Sequence, residues 1–208
     1  MKRFILASLA VGGAAISMAQ PANFIDLGNI GDTTAIYDTP DVLHSDANGL
    51  AAGEVAWFRF TFAGTSGLTG FLDIDTWLGS ANAIDTEIGL YDSLGNMIAN
   101  DDDDGESLRS ALSFGATTPT RQLTAGFGNR VAGNGRDGVL ANGTYWLAVG
   151  EFDTTWGASN WTVTSTGAGD VDPYQIHFRT DVAAVPEPAT MLVLGAGLAA
   201  VAARRRRK

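Results

Sequence analysis

Cysteine is absent from the 208 residues of this chain. Its absence excludes disulfide bonds, thiol catalysis and thiolate metal ligands. A domain without disulfides must be stabilised by its hydrophobic core, and a chain of this length is long enough to bury one.

Basic residues are scarce outside the two ends of the chain. Seven of the 13 lysines and arginines lie in the first three and last five residues, whereas all 23 acidic residues lie between Asp26 and Glu187. Residues 20–188 therefore carry a net charge of about −17. This charge repels phosphate backbones, so we expect no nucleic-acid partner. It suits divalent cations and keeps a secreted domain soluble.

No apolar run reaches the roughly 20 residues of a comfortable membrane span, but a shorter run lies at each end. Met1-Lys2-Arg3 is basic, residues 4–16 are apolar, and Ser17-Met18-Ala19 places small residues where a signal peptidase cleaves. This order predicts a helical signal peptide over residues 1–19, with Gln20 as the first mature residue. The alternative is a buried N-terminal helix.

The C-terminal segment, residues 182–208, combines a proline motif, an apolar run and a basic cluster. The motif is Val185-Pro186-Glu187-Pro188, and residues 189–203 predict one short apolar helix. The basic cluster that follows it consists of Arg204, Arg205, Arg206, Arg207 and Lys208. Positive charges in this position stay on the cytoplasmic side of a membrane, which leaves the preceding domain outside.

This order of three elements resembles the PEP-CTERM sorting signal. In that family the tail is recognised by an exosortase, a transpeptidase-like membrane enzyme, and is cleaved near the motif. The resemblance implies that Pro186, Glu187 and Pro188 are recognition elements for another enzyme and take no part in catalysis here. The alternative is a plain C-terminal membrane anchor.

Alternation of apolar and polar side chains with a period of two dominates residues 23–181, within a predicted domain of residues 20–181. In residues 55–62, for example, phenylalanines alternate with Trp57 and Arg59. The pattern predicts an all-β domain, a two-sheet antiparallel jelly-roll-like β-sandwich, with a long surface loop over residues 124–141. Further predicted strands cover residues 68–75, 87–91, 108–114, 144–151, 161–165 and 174–179.

Four short motifs follow one another in this region, at residues 53–60, 85–96, 100–105 and 142–149. Their order resembles the bacterial pre-peptidase C-terminal (PPC) domain, over roughly residues 50–180. The resemblance implies a non-catalytic jelly-roll-like sandwich that acts in surface attachment or substrate binding.

Four consecutive carboxylates occupy residues 101–104 and predict a surface loop, because each unpaired buried charge would be costly. Asn100, Asp102 and Asp104 have the spacing of the first half of a Ca²⁺ loop. Ala111 stands where a complete EF-hand needs glutamate, so an EF-hand is excluded. The alternative is a solvated acidic turn without a metal. A Ca²⁺ site here would need help from a neighbouring turn, with Asp73, Asp75, Asp85 and Asp92 as candidates.

No pattern in the sequence indicates catalysis. There is no Gly-x-Ser-x-Gly elbow, and His44 and His177 lack the spacing of a zinc site. We therefore expect a non-enzymatic protein of the cell surface or extracellular matrix, acting in adhesion or matrix structure. The alternative is a polysaccharide-binding module, with or without Ca²⁺, that stacks exposed aromatics on sugar rings. Trp156, in a predicted loop, is its best candidate.

Overall fold

A computed structural model describes residues 20–31, 42–46, 49–65, 70–77, 84–105, 108–118, 121–122, 132–170, 172 and 174–182. The predicted signal peptide, the proline motif from Val185 to Pro188, the apolar run at 189–203 and the arginines at 204–207 lie outside these residues. Every helix or strand assigned in the described residues is a β-strand, so the all-β prediction is confirmed.

Most strands belong to two principal sheets. The strands are β1 (Ile25–Ile30), β2 (Val42–Asp46), β3 (Ala56–Phe62), β4 (Phe71–Trp77), β5 (Thr86–Asp92), β6 (Met97–Asp101), β7 (Ala111–Gly115), β8 (Arg121–Gln122), β9 (Ala132–Gly133), β10 (Gly143–Glu151), β11 (Thr154–Trp156), β12 (Val163–Ser165) and β13 (Tyr174–Thr180). A five-stranded sheet has the order β1-β3-β10-β5-β6, and a four-stranded sheet has the order β2-β13-β4-β7. Two further pairs are β11-β12 and β8-β9.

The two principal sheets share one hydrophobic core. Phe60 of β3 and Phe178 of β13 contact edge to face, with ring centroids 5.1 Å apart. Ile74 of β4 and Leu147 of β10 belong to the same buried cluster. The predicted alternation of β3 is confirmed, because its three phenylalanines are fully buried in this core while the intervening side chains are partly exposed.

Strand β1 departs from the predicted antiparallel arrangement. It pairs with β3 in parallel, with Ile25 opposite Phe58 and Ile30 opposite Phe62. The chain leaves the five-stranded sheet after β1, forms β2 in the other sheet and then returns, and this crossover allows parallel neighbours. The prediction of a wholly antiparallel arrangement is wrong at this edge.

Strand β10 is buried on both faces. Tyr145, Leu147 and Val149 belong to the shared core, whereas Trp146 and Ala148 point to the opposite face of the sheet. That face is covered by the β11-β12 hairpin, which contributes Trp156, Trp161 and Val163.

The predicted loop at residues 124–141 is described from residue 132 onward, where it contains β9 and then covers the edge of β7. The backbone N–H of Asp137 donates to the carbonyl of Ser113 at 2.9 Å, and Gly115 donates to Gly138 at 2.7 Å. Satisfied in this way, β7 does not present a bare edge to other chains.

The strands of both sheets run between two ends of the domain. At one end, which we call the exit end, residues 70–71, 138–143 and 180–182 lie together, and Val182 is the last described residue. At the opposite end, which we call the acidic end, residues 85–87, 101–104 and 151–153 lie together. This division positions the candidate sites described below.

Candidate functional site

The acidic turn begins where β6 ends, at Asp101. The Asp101 carboxylate points inward, where its Oδ2 accepts hydrogen bonds from the backbone N–H groups of Ala111 at 2.7 Å and Asp104 at 3.0 Å. Burial raises the pKa of this carboxyl group to about 7. Asp101 therefore shapes the turn and ties it to the start of β7.

Three carboxylates converge at the acidic end. One oxygen from each of Asp85, Asp102 and Asp103 lies within 4.8 Å of the others. Asp85 precedes β5 and is partly buried, whereas Asp102 and Asp103 are exposed on the turn. The hydroxyl of Ser110 lies within hydrogen-bond distance of the carbonyl oxygens of Asp102 and Thr86, which holds the turn against β5.

Asp85 and Asp102 are among the predicted Ca²⁺ ligands, whereas Asp103 is not. A two-residue period places Asp102 and Asp104 on one side of an extended chain. The structure has a turn at these positions, so that period ends and Asp103 points toward Asp85 instead. Asp104 Oδ2 lies 3.2 Å from Arg136 Nε, and Asn100 is exposed on β6.

Asp92 lies at the far end of β5 from Asp85. A strand of seven residues spans about 20 Å, so the two carboxylates do not share a cation. Asp92 Oδ1 instead accepts hydrogen bonds from the backbone N–H groups of Leu94 at 2.8 Å and Asn96 at 2.9 Å. These bonds hold the β5-β6 turn and lower the pKa of Asp92 against the opposing effect of its burial.

The electrostatics of the three-carboxylate group favour a cation. Burial first, then the charges of Asp103 and Asp102, raise the pKa of Asp85 to about 6. The Asp85 Oδ1 atom is buried and has no hydrogen-bond partner among the described residues. Carboxylate oxygens are the ligands that Ca²⁺ prefers, and it takes about six to eight of them. The group therefore fits Ca²⁺ in chemistry but supplies only part of a coordination shell, and the Ca²⁺ site stays a prediction.

Asp73 and Asp75, named as further ligands, belong instead to a buried polar group on the four-stranded sheet. Asp75 Oδ2 lies 2.8 Å from Arg179 Nη2, and its Oδ1 lies 3.3 Å from His177 Nδ1. The hydroxyl of Ser113 donates to Asp73 Oδ1 at 2.8 Å. Burial raises the pKa of Asp75, while the hydrogen bond from His177 and the charge of Arg179 lower it. These contacts tie the three neighbouring strands β13, β4 and β7 together.

Trp156 lies in β11 and is partly buried, so the prediction that it lies in an exposed loop is wrong. Its Nε1 donates to Glu87 Oε2 at 3.1 Å, and Thr154 N donates to Glu87 Oε1 at 3.2 Å. The indole packs directly over Gly89. Strand β11 has three residues, too few to produce a recognisable period. The sugar-stacking role of Trp156 stays a prediction.

A group of aromatic side chains lies around Trp146 on the outer face of the five-stranded sheet. Trp146 contacts Phe24 and Trp161 edge to face, with ring centroids 4.8 and 6.3 Å away. The guanidinium of Arg59 lies 4.6 Å above the Phe24 ring. Trp161 has a φ of +49°, which bulky residues rarely adopt, and its backbone N–H donates to Gly95 at 3.2 Å. The group fixes the hairpin on the sheet.

The remaining candidate is the C-terminal segment that follows Val182, the last residue that the structure describes. A family model described as PEP-CTERM protein-sorting motif matches residues 184–207. The chain carries a PEP-CTERM sorting motif. No curated protein and no solved structure matches the chain.

The PEP-CTERM match includes the proline motif from Val185 to Pro188 and the arginines at 204–207, as predicted. The motif indicates an exported, envelope-associated protein that is sorted by exosortase. It does not extend into the central domain, so the PPC resemblance stays a prediction. In the part of the chain that the structure describes, no helix is long and apolar enough to cross a membrane.

Proposed function

We propose that this chain is a non-enzymatic protein of the cell surface or extracellular matrix, delivered by a signal peptide and sorted by exosortase. Its domain is a PPC-like sandwich of two sheets in a jelly-roll-like order, and it acts in adhesion or matrix structure. The observation that carries the proposal is the PEP-CTERM motif at residues 184–207, which begins two residues after Val182, the last residue that the structure describes.

The composition of the domain supports a location outside the cell. Residues 20–188 carry a net charge of about −17 and contain no cysteine. A surface with this charge stays soluble among polymers and collects divalent cations. The fold depends on a core shared by two sheets and on a second cluster under the β11-β12 hairpin, and therefore needs no oxidising partner enzyme.

The mass of the mature protein tests the proposal. We expect a chain that begins at Gln20 and ends near the proline motif. Replacing Pro186, Glu187 and Pro188 together with alanine should leave the tail attached and the protein in the membrane fraction. Ala183→Ser, one residue before the matched segment, is the control and should be processed normally. An unprocessed chain dissolved in the cytosol, or identical C-termini in both variants, would overturn the proposal.

The second candidate is a polysaccharide-binding module that uses Ca²⁺. The convergence of Asp85, Asp102 and Asp103 favours it, since an exposed aromatic residue, Phe152, is tied to Asp85 by a backbone hydrogen bond of 3.0 Å. Pull-down on extracellular polysaccharide, with Ca²⁺ and with EDTA, distinguishes the two candidates. Binding that requires Ca²⁺ and is lost in Trp156→Ala, with the melting temperature of that variant as a folding check, supports the module. Retention in the matrix without such binding supports the structural role.

A further inference from the structure

The end of the domain is clamped immediately before the sorting tail. The Val182 side chain packs against the core next to Gly70, and its backbone N–H donates to Thr180 Oγ1 at 3.0 Å. The Asp181 carboxylate accepts a hydrogen bond from the Phe71 N–H at 2.9 Å. Strand β13 is therefore held in place up to Val182.

Little chain separates this clamp from the apolar run. Residues 183–188 are the only ones between Val182 and the run at 189–203. Six residues and their flanking bonds span at most about 25 Å when fully extended. The headgroup layer of a bilayer takes up about 5–7 Å of that length. While the apolar run is in the membrane, the exit end must therefore lie within about 20 Å of the headgroups.

The acidic end lies too far from the exit end to lie near the headgroups at the same time, unless the domain tilts. Strand β10 runs from one end to the other and has nine residues, a length of about 30 Å. This exceeds both the slack of the tether and the roughly 8 Å Debye length at physiological salt. A domain that tilted onto its side would bring its acidic end to the surface.

Charge opposes that tilt. Among the described side chains, the exit end carries the carboxylates of Asp92 and Asp181. The acidic end carries eight carboxylates, those of Asp85, Glu87, Asp101, Asp102, Asp103, Asp104, Glu151 and Asp153, and two arginines, Arg109 and Arg136, lie beside the turn. The exit end therefore still carries much less negative charge than the acidic end. A bilayer that contains anionic lipid repels the second group far more strongly than the first.

We propose that the exit end is a membrane-facing surface, which lies against the lipid headgroups until the tail is cut, while the acidic end points away from the membrane. The inference rests on the proposed function, since it requires the tail to be in the membrane. It places the acidic end on the side of the domain that faces away from the membrane, where extracellular cations and polymers reach it first. It also means that the enzyme that cuts the tail must act close to the folded domain, because the segment between them is short.

The absence of cysteine makes the test direct, because a single introduced cysteine gives a unique label. Val139 at the exit end and Phe152 at the acidic end are matched sites, with exposed fractions of 62% and 52%. The tail-bearing protein, purified from cells without exosortase, is labelled at Val139→Cys or Phe152→Cys with a fluorophore. It is then reconstituted into vesicles of phosphatidylethanolamine and phosphatidylglycerol that contain a headgroup-attached quencher.

We expect a strong loss of fluorescence from the label at 139 and no loss from the label at 152. A flexible 20-residue Gly-Ser insertion between Ala183 and Ala184 should relieve the quenching at 139, since the longer tether lets the domain move away. Equal quenching at both sites, or stronger quenching at 152, would overturn the orientation while leaving the proposed function intact. A protein that fails to float with the vesicles would instead overturn the membrane attachment on which both proposals depend.

Discussion

Gly89 lies directly beneath the indole ring of Trp156, in the middle of β5. A Cβ atom at this position would lie 2.5 Å from the Cε3 and Cζ3 atoms of that ring, a distance that real contacts do not reach. The ring Nε1–H donates to Glu87, two residues before Gly89 on the same strand, at 3.1 Å. Glycine is needed here to allow the close approach of the hairpin.

Gly89→Ala should therefore lower the free energy of unfolding by about 1–3 kcal/mol, the usual cost of overpacking. Gly143→Ala is the matched control, because a Cβ there meets nothing nearer than the Tyr145 hydroxyl at 3.7 Å. Urea unfolding of both variants gives the comparison. Equal stabilities would show that the hairpin does not press on β5.

Two ion pairs in the molecule differ sharply in burial. Asp75 and Arg179 are almost fully buried, whereas the side chains of Asp26 and Arg59 are 47% and 35% exposed. Removing one member of a buried pair leaves a charge without compensation and costs about 3–5 kcal/mol. An exposed pair contributes about 0–1 kcal/mol.

We expect Asp75→Asn to destabilise the domain by several times as much as Asp26→Asn, measured by chemical unfolding at neutral pH. The reason is that both Arg179 and His177 contact the Asp75 carboxylate inside the sheet. Similar losses of stability in the two variants would mean that water reaches the Asp75 carboxylate despite its burial.

The turn between β6 and β7 is where a bound cation would act. It brings Asp102 and Asp103 close to Asp85, which immediately precedes β5, so a Ca²⁺ ion there would crosslink this turn to the start of β5. We expect Ca²⁺ to raise the melting temperature and EDTA to reverse the rise, because an ion that binds only the folded state stabilises it. Scanning calorimetry or circular dichroism measures the change.

Two variants test the position of that ion. Asp102→Asn should reduce the response to Ca²⁺. Asp92→Asn should lower the melting temperature by loosening the β5-β6 turn, yet keep the full response, because Asp92 lies at the other end of β5. An unchanged melting temperature in EDTA would reject the site.

Sequence patterns predicted the long strands with one buried face better than the short strands. The alternation of residues 55–62 was enough to identify β3 and its inward phenylalanines, since one face of that strand is fully buried. Strand β11 has three residues and no period, so Trp156 was assigned to a loop. The parallel pairing of β1 depends on which sheet β2 joins, and alternation within a strand carries no information about that.

The candidate sites divide in the same way. The tail could be read from sequence because its three elements are consecutive. The spacing of a Ca²⁺ loop predicts Asp102, and Asp85 is one of four acidic residues named from neighbouring turns. Asp103 lies near them only because the chain bends after β6. The buried contact between Asp75 and Arg179 joins residues 104 positions apart, and nothing local to either residue indicates the other.

The carboxylates of the acidic end make the stability of the whole folded domain depend on pH. Folding raises the pKa of Asp85 to about 6 and that of Asp101 to about 7, from an ordinary value of 3.8. Such groups bind protons more tightly in the folded state. Their contribution is therefore complete below pH 3.8 and is lost as the pH rises through about 6 to 7.

The free energy of unfolding should accordingly fall as the pH rises from about 4 to 7. Asp85→Asn should flatten this slope, whereas Asp92→Asn should leave it unchanged, because hydrogen bonds lower the pKa of Asp92. Urea unfolding at several pH values provides the measurement. The pKa values of Asp26 and Asp92 are lowered by their hydrogen bonds, so these groups titrate below this range. A flat profile over this range would show that the acidic end is fully solvated.

The central strands of the two sheets come late in the chain. Strand β10 lies between β3 and β5, and β13 lies between β2 and β4, so each sheet is completed by a strand from the last third of the domain. Contacts this distant in sequence form slowly. In the proposed export with the N-terminus first, the pairs β1-β3, β5-β6 and β4-β7 can form early, but neither sheet is complete until β10 and β13 have followed. The sorting motif begins at residue 184, so the proposal leaves the domain little time to close before exosortase reaches the tail.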